Sequence, residues 1–388
     1  MPVIDQFEHN GISIETHEPP PPMGPPGDNV VAWVVTAPDK HADVAFSVPF
    51  RVANTADAQY LDSTGNELGT GWHAASETLK KTSVPQYFIV VPEGADDAAT
   101  MANIIGGIDP TTGRRTGIAA LTECTERPTL IGAPGFSQNK AVIDALASMA
   151  KRLKCRAVID GPSGSTQDAI DLSGLLGGEG TGHDRVYMVD PMPAIYSRKA
   201  QGNIYVPPST IAMGAVAAVK PWESPGNQGV LIQDVARVID YNILDKSTEG
   251  DLLNRNGVSY FARTSMGGFS LIGNRTVTGK FISFVGLEDA IARKLEAASQ
   301  RAMSKQLTKS FMEQEIKKIN LFMQDLVAAE IIPGGEVYLH PTLNTVERYK
   351  NGSWYIVIDY GRYSPNEHMI FHLNAVDRIV EEFIEEVL

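Results

Sequence analysis

The sequence predicts a mixed α/β protein: a largely parallel α/β middle domain, then an α+β C-terminal domain, with extended arms at both ends. Three observations predict it. Short apolar runs rich in β-branched residues, VVAWVVT at 30–36 and YFIVV at 87–91, have the composition of strands buried on both faces. Between 128 and 191 such runs alternate with segments of helical period, the pattern of a parallel sheet with right-handed crossovers. Beyond residue 335 strand-like runs dominate, and the chain ends in an acidic amphipathic segment.

The elements follow in order. In GISIETHE, 11–18, Ile12 and Ile14 alternate with polar residues as in a short strand. PPPPMGPPGD, 19–28, holds the backbone extended and can join neither a helix nor a central strand. An isolated strand on a stiff stalk has nothing of its own to pair with. It is either a disordered tail or an arm that adds a strand to another subunit's sheet. A helix is expected near 72–81, and another over 95–105, opening at Asp96 and Asp97. PTLIGAPGF (128–136) reads as a strand, and Val142, Leu146, Met149 and Leu153 place a helix over 138–153. RAVID (156–160) is a strand, 166–176 a helix and RVYMVDP (185–191) a strand.

Pro207 and Pro208 stop one element, and the apolar run Ile211 to Val219 starts another. Tyr260–Arg263 and Phe281–Val285 read as strands flanking a loop with Gly267, Asn274, Arg275 and Thr276. Leu287, Ile291 and Leu295 set one helical stripe. Phe311, Ile316, Ile319, Phe322, Met323 and Leu326 set the next, which ends before Pro333-Gly334-Gly335. Residues 336–343, 353–360 and 368–373 read as strands. The terminal VDRIVEEFIEEVL is a narrow apolar stripe on a helix carrying Asp377, Glu381, Glu382, Glu385 and Glu386 against Arg378. Acid at a helix C-terminus opposes the macrodipole, so this helix is expected to need a docking surface.

Composition narrows the function. With 388 residues the chain exceeds one typical core, and 43% hydrophobic with 20% charged residues is globular. A formal net charge of −13 argues against nucleic acid or anionic lipid as the main partner. Cys124 and Cys155 fit no zinc or redox spacing and read as buried small apolar residues. No run approaches the roughly 18 apolar residues of a membrane helix, and MPVIDQFEHNG has no basic n-region, so neither membrane insertion nor classical secretion is expected.

Catalytic patterns are sparse. Gly174, Gly177, Gly178, Gly180 and Gly182 cluster near an α/β sheet, but they precede a strand and lack the Gly-Lys-Ser/Thr ending of a phosphate loop. No Gly-x-Ser-x-Gly elbow or His-Glu-x-x-His occurs, and His368 and His372 share a strand face without further ligands. Asp160, Asp184 and Asp190 flank strands, where α/β enzymes place catalytic acids. Without a nucleophile or base beside them they read as turn and cap residues. No metal or cofactor is expected. An α/β enzyme acting on a nucleotide or acyl substrate is the alternative reading.

The order of several short patterns points elsewhere. Gly117-Ile118-x-Ala120-Leu121 precedes Pro128-x-Leu130-Ile131-x-Ala133-Pro134-Gly135. Pro207-Pro208-Ser209 opens a small-residue helix, followed by Trp222 with Pro225-x-Asn227, Gly257-Val258 before a strand, and Gly273-Asn274-Arg275-Thr276. The ordered set resembles the contractile-tail sheath proteins of bacteriophages and R-type bacteriocins. The resemblance implies a non-enzymatic structural subunit that stacks as hexameric rings around an inner tube. It implies assembly in an extended state and contraction that drives the tube through a bacterial envelope. Implied partners are further copies of itself, the inner tail tube protein, and baseplate and tail terminator proteins. The implied location is the virion tail or an equivalent particle, assembled in the bacterial host cytoplasm.

Under this resemblance, residues 1–24 form an arm that packs with a neighbour's C-terminal domain. Residues 25–205 form an outer α/β domain, 206–360 the inner sheath domain and 361–388 a C-terminal arm. Strand exchange would join Ile12 and Ile14 to the sheet bearing Ile356 and Ile358 of one neighbour, while Met369, Phe371 and Leu373 reach another. Lys309, Lys317 and Lys318, in a helical region where seven basic residues face six acids, would meet acidic residues of the tube. A solvated face is the alternative for these lysines.

Overall fold

The computed structural model describes residues 23, 26–177 and 180–387. Ile12 and Ile14, with most of the N-terminal arm, lie outside the described residues.

The first strand, β1 (Val31–Thr36), is buried throughout. β2 (Pro49–Val52) and the single turn α1 (Thr55–Ala58) lead to α2 (Gly71–Lys81) and β3 (Gln86–Val91). α3 (Asp97–Ile105) starts where Asp96 accepts from the Ala99 amide at 2.7 Å, a side-chain cap on an otherwise unsatisfied donor. β4 (Gly107–Ile108) and β5 (Arg115–Thr116) pair as a short hairpin. Next come β6 (Leu130–Gly132), α4 (Lys140–Leu153), β7 (Arg156–Asp160), α5 (Thr166–Leu176) and β8 (Val186–Val189), in the alternation the sequence predicts. Asn139 caps α4, and Ser165 with Asp168 forms a reciprocal capping box on α5.

β9 (Pro193–Ser197), β10 (Gly202–Tyr205) and β12 (Asp234–Val235) form a small separate sheet. Pro208 occupies the first turn of α6 (Pro208–Ala217), where its missing N–H costs nothing. β11 (Gln228–Val230), α7 (Glu249–Arg255), β13 (Val258–Arg263) and β14 (Phe269–Ile272) complete the large unit. The remainder is α8 (Ile282–Ser299), α9 (Lys309–Ala328), β15 (Gly335–Leu339), α10 (Val346–Lys350), β16 (Ile356–Tyr360) and α11 (Asp377–Val387).

Nine strands build the main sheet in the order β11-β14-β13-β8-β7-β6-β1-β3-β2. The six from β13 to β3 run parallel, and β2, β14 and β11 attach antiparallel at the edges. Alternation splits each central strand between two layers. Ala32, Val34, Ile89 and Val91 enter a cluster with residues of α3, α4 and α5. Trp33, Val35, Phe88 and Val90 face the other way, into a cluster with α2 and α6. Helices on both faces are why these strands read as unbroken apolar runs. α6 is buried at every position, which its small residues permit.

Two expectations meet a different arrangement. β11, β13 and β14 lie after residue 205 yet belong to the main sheet, so the expected boundary at 205/206 runs through one continuous hydrogen-bonded unit. Phe281–Val285 is not a strand. Phe281 is the N-cap and Ile282–Val285 the first turn of α8, with Ile282 and Val285 buried three apart on one face. A run this short is compatible with either period, and packing decides it.

A third, smaller cluster joins Leu287 and Ile291 of α8, Phe322, Met323 and Leu326 of α9, and Ile331 and Ile332, with Met23, Val337, Ile358 and Tyr360 packed against it. Polar groups fix α8 to the starts of the central strands. Arg185 makes a buried bidentate pair with Asp289, 3.1 and 2.7 Å to Oδ1. Arg156, also buried, donates to Asn29 Oδ1 at 2.8 Å and to the Pro221 carbonyl at 3.3 Å. α8 also passes so close to Pro221 that a β-carbon on Gly286 would stand 1.9 Å from its carbonyl oxygen. Gly286→Ala is therefore expected to destabilise the subunit by about 1–3 kcal/mol through overpacking. Urea denaturation checks this, and an unchanged midpoint would show that α8 can slide away from Pro221.

Candidate intersubunit surfaces

β15 and β16 form a two-stranded antiparallel ribbon in register from Gly335↔Tyr360 to Leu339↔Ile356. Neither strand has a second neighbour among the described residues, so both outer edges present unpaired backbone groups. A two-stranded ribbon is marginal alone. This one is held by Ile358, Val337 and Tyr360 against the third cluster, and by Tyr338 donating its hydroxyl to Asp359 at 2.8 Å. That hydrogen bond to a carboxylate raises the Tyr338 pKa. Ile356 and Ile358 share one face, as the sequence predicts, and both are half-buried.

The C-terminal segment is fastened for seven residues and then leaves. The Gly361 amide donates to the Gly334 carbonyl at 3.0 Å, and the Arg362 guanidinium lies 4.5 Å from the Phe284 ring centroid. Glu367 accepts from Arg275 at 2.7 Å and from Asn274 at 3.5 Å. Asn274 and Arg275 stand out in the sequence, but their partner 92 residues later does not. Past this clasp, 368–373 is not the strand that its composition predicts. Met369, Phe371 and Leu373 are 59%, 76% and 94% exposed, because among the described residues nothing lies alongside to make a ladder. His368 and His372 lie in this stretch, and among the described residues no three His, Cys, Asp or Glu side chains converge on a metal-sized site. α11 follows, and it is buried at no position.

The three lysines do not act alike. Lys309 is 90% exposed, with Glu313 at 3.8 Å. Lys317 is exposed and has no ion pair among the described residues. Lys318 is only 13% exposed. It pairs with Glu315 at 2.6 Å and donates to the Ala298 carbonyl at 3.3 Å, tying α9 to α8. It is a structural cation, and the sequence-based expectation of an outward contact does not hold for it.

The strand-flanking acids are occupied as acceptors. Asp160 is buried and accepts from the Gly135 and Ser209 amides and the Ser137 hydroxyl at 2.7–2.9 Å, joining β6, β7 and α6. Burial pushes its carboxyl above the usual range. Asp190 accepts from the Ser163 amide at 2.5 Å and pairs with Arg237 at 2.6 Å, and Asp184 pairs with Arg185 at 3.1 Å. Burial raises the thiols of Cys124 and Cys155 to about 12, which makes them poor nucleophiles.

No family model matches the chain. It is 26% identical over 365 residues to a prophage major tail sheath protein of Pseudomonas aeruginosa (strain UCBPP-PA14), spanning 90% of this chain and 92% of that protein. The chain is thus similar over nearly its whole length to a contractile-tail sheath protein. A tail sheath protein of Burkholderia phage BcepMu is 25% identical over 296 residues, 70% of this chain and 61% of the phage protein. The fold agrees with sheaths of injection devices. The sheath of an extracellular contractile injection system, the PVC sheath complex in its contracted state, superposes with TM-score 0.71 at 15% identity, covering 96% of this chain and 99% of that one. The helical sheath of the anti-feeding prophage in its contracted state gives 0.69 at 18% identity, covering 94% and 99%.

Proposed function

We propose that the chain is the structural subunit of a contractile tail sheath, polymerising as stacked hexameric rings around an inner tube and contracting to drive that tube through a bacterial envelope. The full-length match to tail sheath proteins carries this reading. The energy lies in subunit contacts rather than in hydrolysis, and the acids that an α/β enzyme would use are engaged in holding strands together. Continuity during contraction requires links that survive sliding. Strands shared between subunits supply them, because a ladder adds several hydrogen bonds and closes an open edge. Ile12 and Ile14 of one neighbour pair along the β15–β16 ribbon at Ile356 and Ile358. Met369, Phe371 and Leu373 reach into another subunit. Residues 361–388 act as the C-terminal arm, released beyond the Glu367 clasp.

The exposed lysines of α9, Lys309 and Lys317, meet acidic residues of the tube protein, and the baseplate and tail terminator bound the polymer at its ends. The particle is a virion tail or an equivalent device, assembled in the bacterial host cytoplasm. Electron microscopy of the purified protein tests the reading: regular striated tubes are expected, and a small particle that melts in a ligand-dependent manner would overturn it. Lys317→Glu is expected to weaken assembly on tubes most at low salt, where exposed charges are least screened, while leaving thermal stability unchanged. Unaltered assembly at low salt would mean that this face is simply solvated.

A further inference from the structure

Between α7 and the end of β14 the surface opens into a cleft of about 900 Å³, within the roughly 300–1,000 Å³ of small-molecule sites. The strap Pro365–His368 forms one wall, held there by the Glu367 clasp. The lining is polar and electrically balanced. Lys246, Arg255 and Arg275 stand against Asp245, Asp251 and Glu367, in a chain whose net charge is −13. Most of these charges are already engaged. Arg255 pairs with Asp251 at 2.6 Å, Arg275 pairs with Glu367 at 2.7 Å, and Asp245 accepts from the Ser247 amide at 2.8 Å and its hydroxyl at 2.7 Å.

The groups left over are neutral. Asn242 gives its Oδ1 to the Leu244 amide at 2.9 Å, and its NH2 group has no partner among the described residues. Asn254, also in the lining, encloses its Oδ1 with no hydrogen-bond partner among the described residues. A half-turn of the amide exchanges its two ends. An enclosed acceptor without a donor costs stability, so the fold alone gives no reason for an asparagine at this position. Tyr241 meets the buried Tyr260 edge to face, with ring centroids 6.3 Å apart, which fixes one aromatic ring in the cleft wall. Only Ile243 and Ile272 supply large aliphatic surface.

Amides that donate and accept side by side match the neighbouring hydroxyls of a sugar, and an aromatic ring matches its C–H face. An ionic ligand would meet charges that are mostly paired, and an apolar one would find little surface to cover. We propose that this cleft binds a short neutral saccharide, with Asn242 and Asn254 on its hydroxyls and Tyr241 against a sugar ring. The site lies within one subunit and does not rest on the sheath reading. Free oligosaccharides and the polysaccharides of a bacterial envelope share this ligand chemistry.

Saturation-transfer NMR on the full-length subunit tests it, with maltotriose, mannotriose and the N-acetylglucosamine trimer as probes. At least one probe is expected to bind. Asn254→Leu should weaken that binding about tenfold without lowering the melting temperature, since it also removes an unsatisfied buried acceptor. Tyr241→Ala should abolish it. If Tyr241→Ala does not fold, Asn242→Ala, at an exposed position, replaces it with an expected loss of about tenfold. Leu175→Ala, exposed on α5, should bind as the parent does. Envelope polysaccharide that displaces the bound probe identifies the envelope as the source, and a probe that it does not displace identifies free oligosaccharide; both support the site. No signal from any saccharide overturns the proposal. Binding unchanged in Asn254→Leu and Asn242→Ala also overturns it, as does a cleft that takes inorganic phosphate and none of the saccharides.

Discussion

Deleting residues 1–18 is expected to leave a soluble, cooperatively folding subunit that forms no contractile tubes. Folding is expected to survive because every strand of the nine-stranded sheet lies after residue 30, and both of its apolar layers are drawn from those strands and their helices. Assembly is expected to fail because the β15–β16 ribbon offers two unpaired edges and only half-buried isoleucines. Ile12 and Ile14 alternate at the spacing that would add a matching apolar row to such an edge. Under the proposed strand exchange, that row is added to the ribbon of a different subunit. Circular dichroism with urea reports the first half of the expectation and electron microscopy the second. Tubes of normal length that contract intact would show that residues 1–18 play no part in linking subunits.

Asp289→Ala is expected to destabilise the isolated subunit by about 3–5 kcal/mol, the cost of leaving a buried guanidinium without its counter-charge. Arg185 is 7% exposed and Asp289 only 1%, so little water can replace the lost carboxylate. The neighbouring acids do not compensate: Glu288 stands at 3.6 Å, half exposed, and Asp184 contacts the other guanidinium nitrogen. The double substitution Arg185→Met with Asp289→Leu should recover most of the loss, since it removes both buried charges and keeps the volume. Denaturant unfolding of the two variants decides it. A single variant within about 0.5 kcal/mol of the parent, the range of ordinary surface changes, would mean that α8 is not fastened there.

The local pattern was sufficient where each element carries its own instruction. Buried strands flanked by periodic helices gave β6-α4-β7-α5-β8, because continuous apolar runs need cover on both faces and only crossover helices supply it. Asp96 at the head of α3, Pro208 in the first turn of α6 and Pro333-Gly334-Gly335 after α9 act within a few residues of themselves. The amphipathic stripe of α11 is likewise written in eleven residues.

What the sequence did not contain were pairings between residues far apart. β13 inserts beside β8, Val258 opposite Met188, and so carries the sheet past the expected domain boundary; nothing in VSYFAR names that neighbour. Phe281–Val285 had a composition common to strand and helix, and packing of Ile282 and Val285 made it the first turn of α8. Lys318 looked like its neighbour Lys317 until Glu315 and the Ala298 carbonyl claimed it. Met369–Leu373 has strand composition and no ladder, because a strand needs a second one beside it and none lies there among the described residues. Periodicity reports which face of an element is apolar; only the tertiary structure decides what that face, or an unpaired edge, meets.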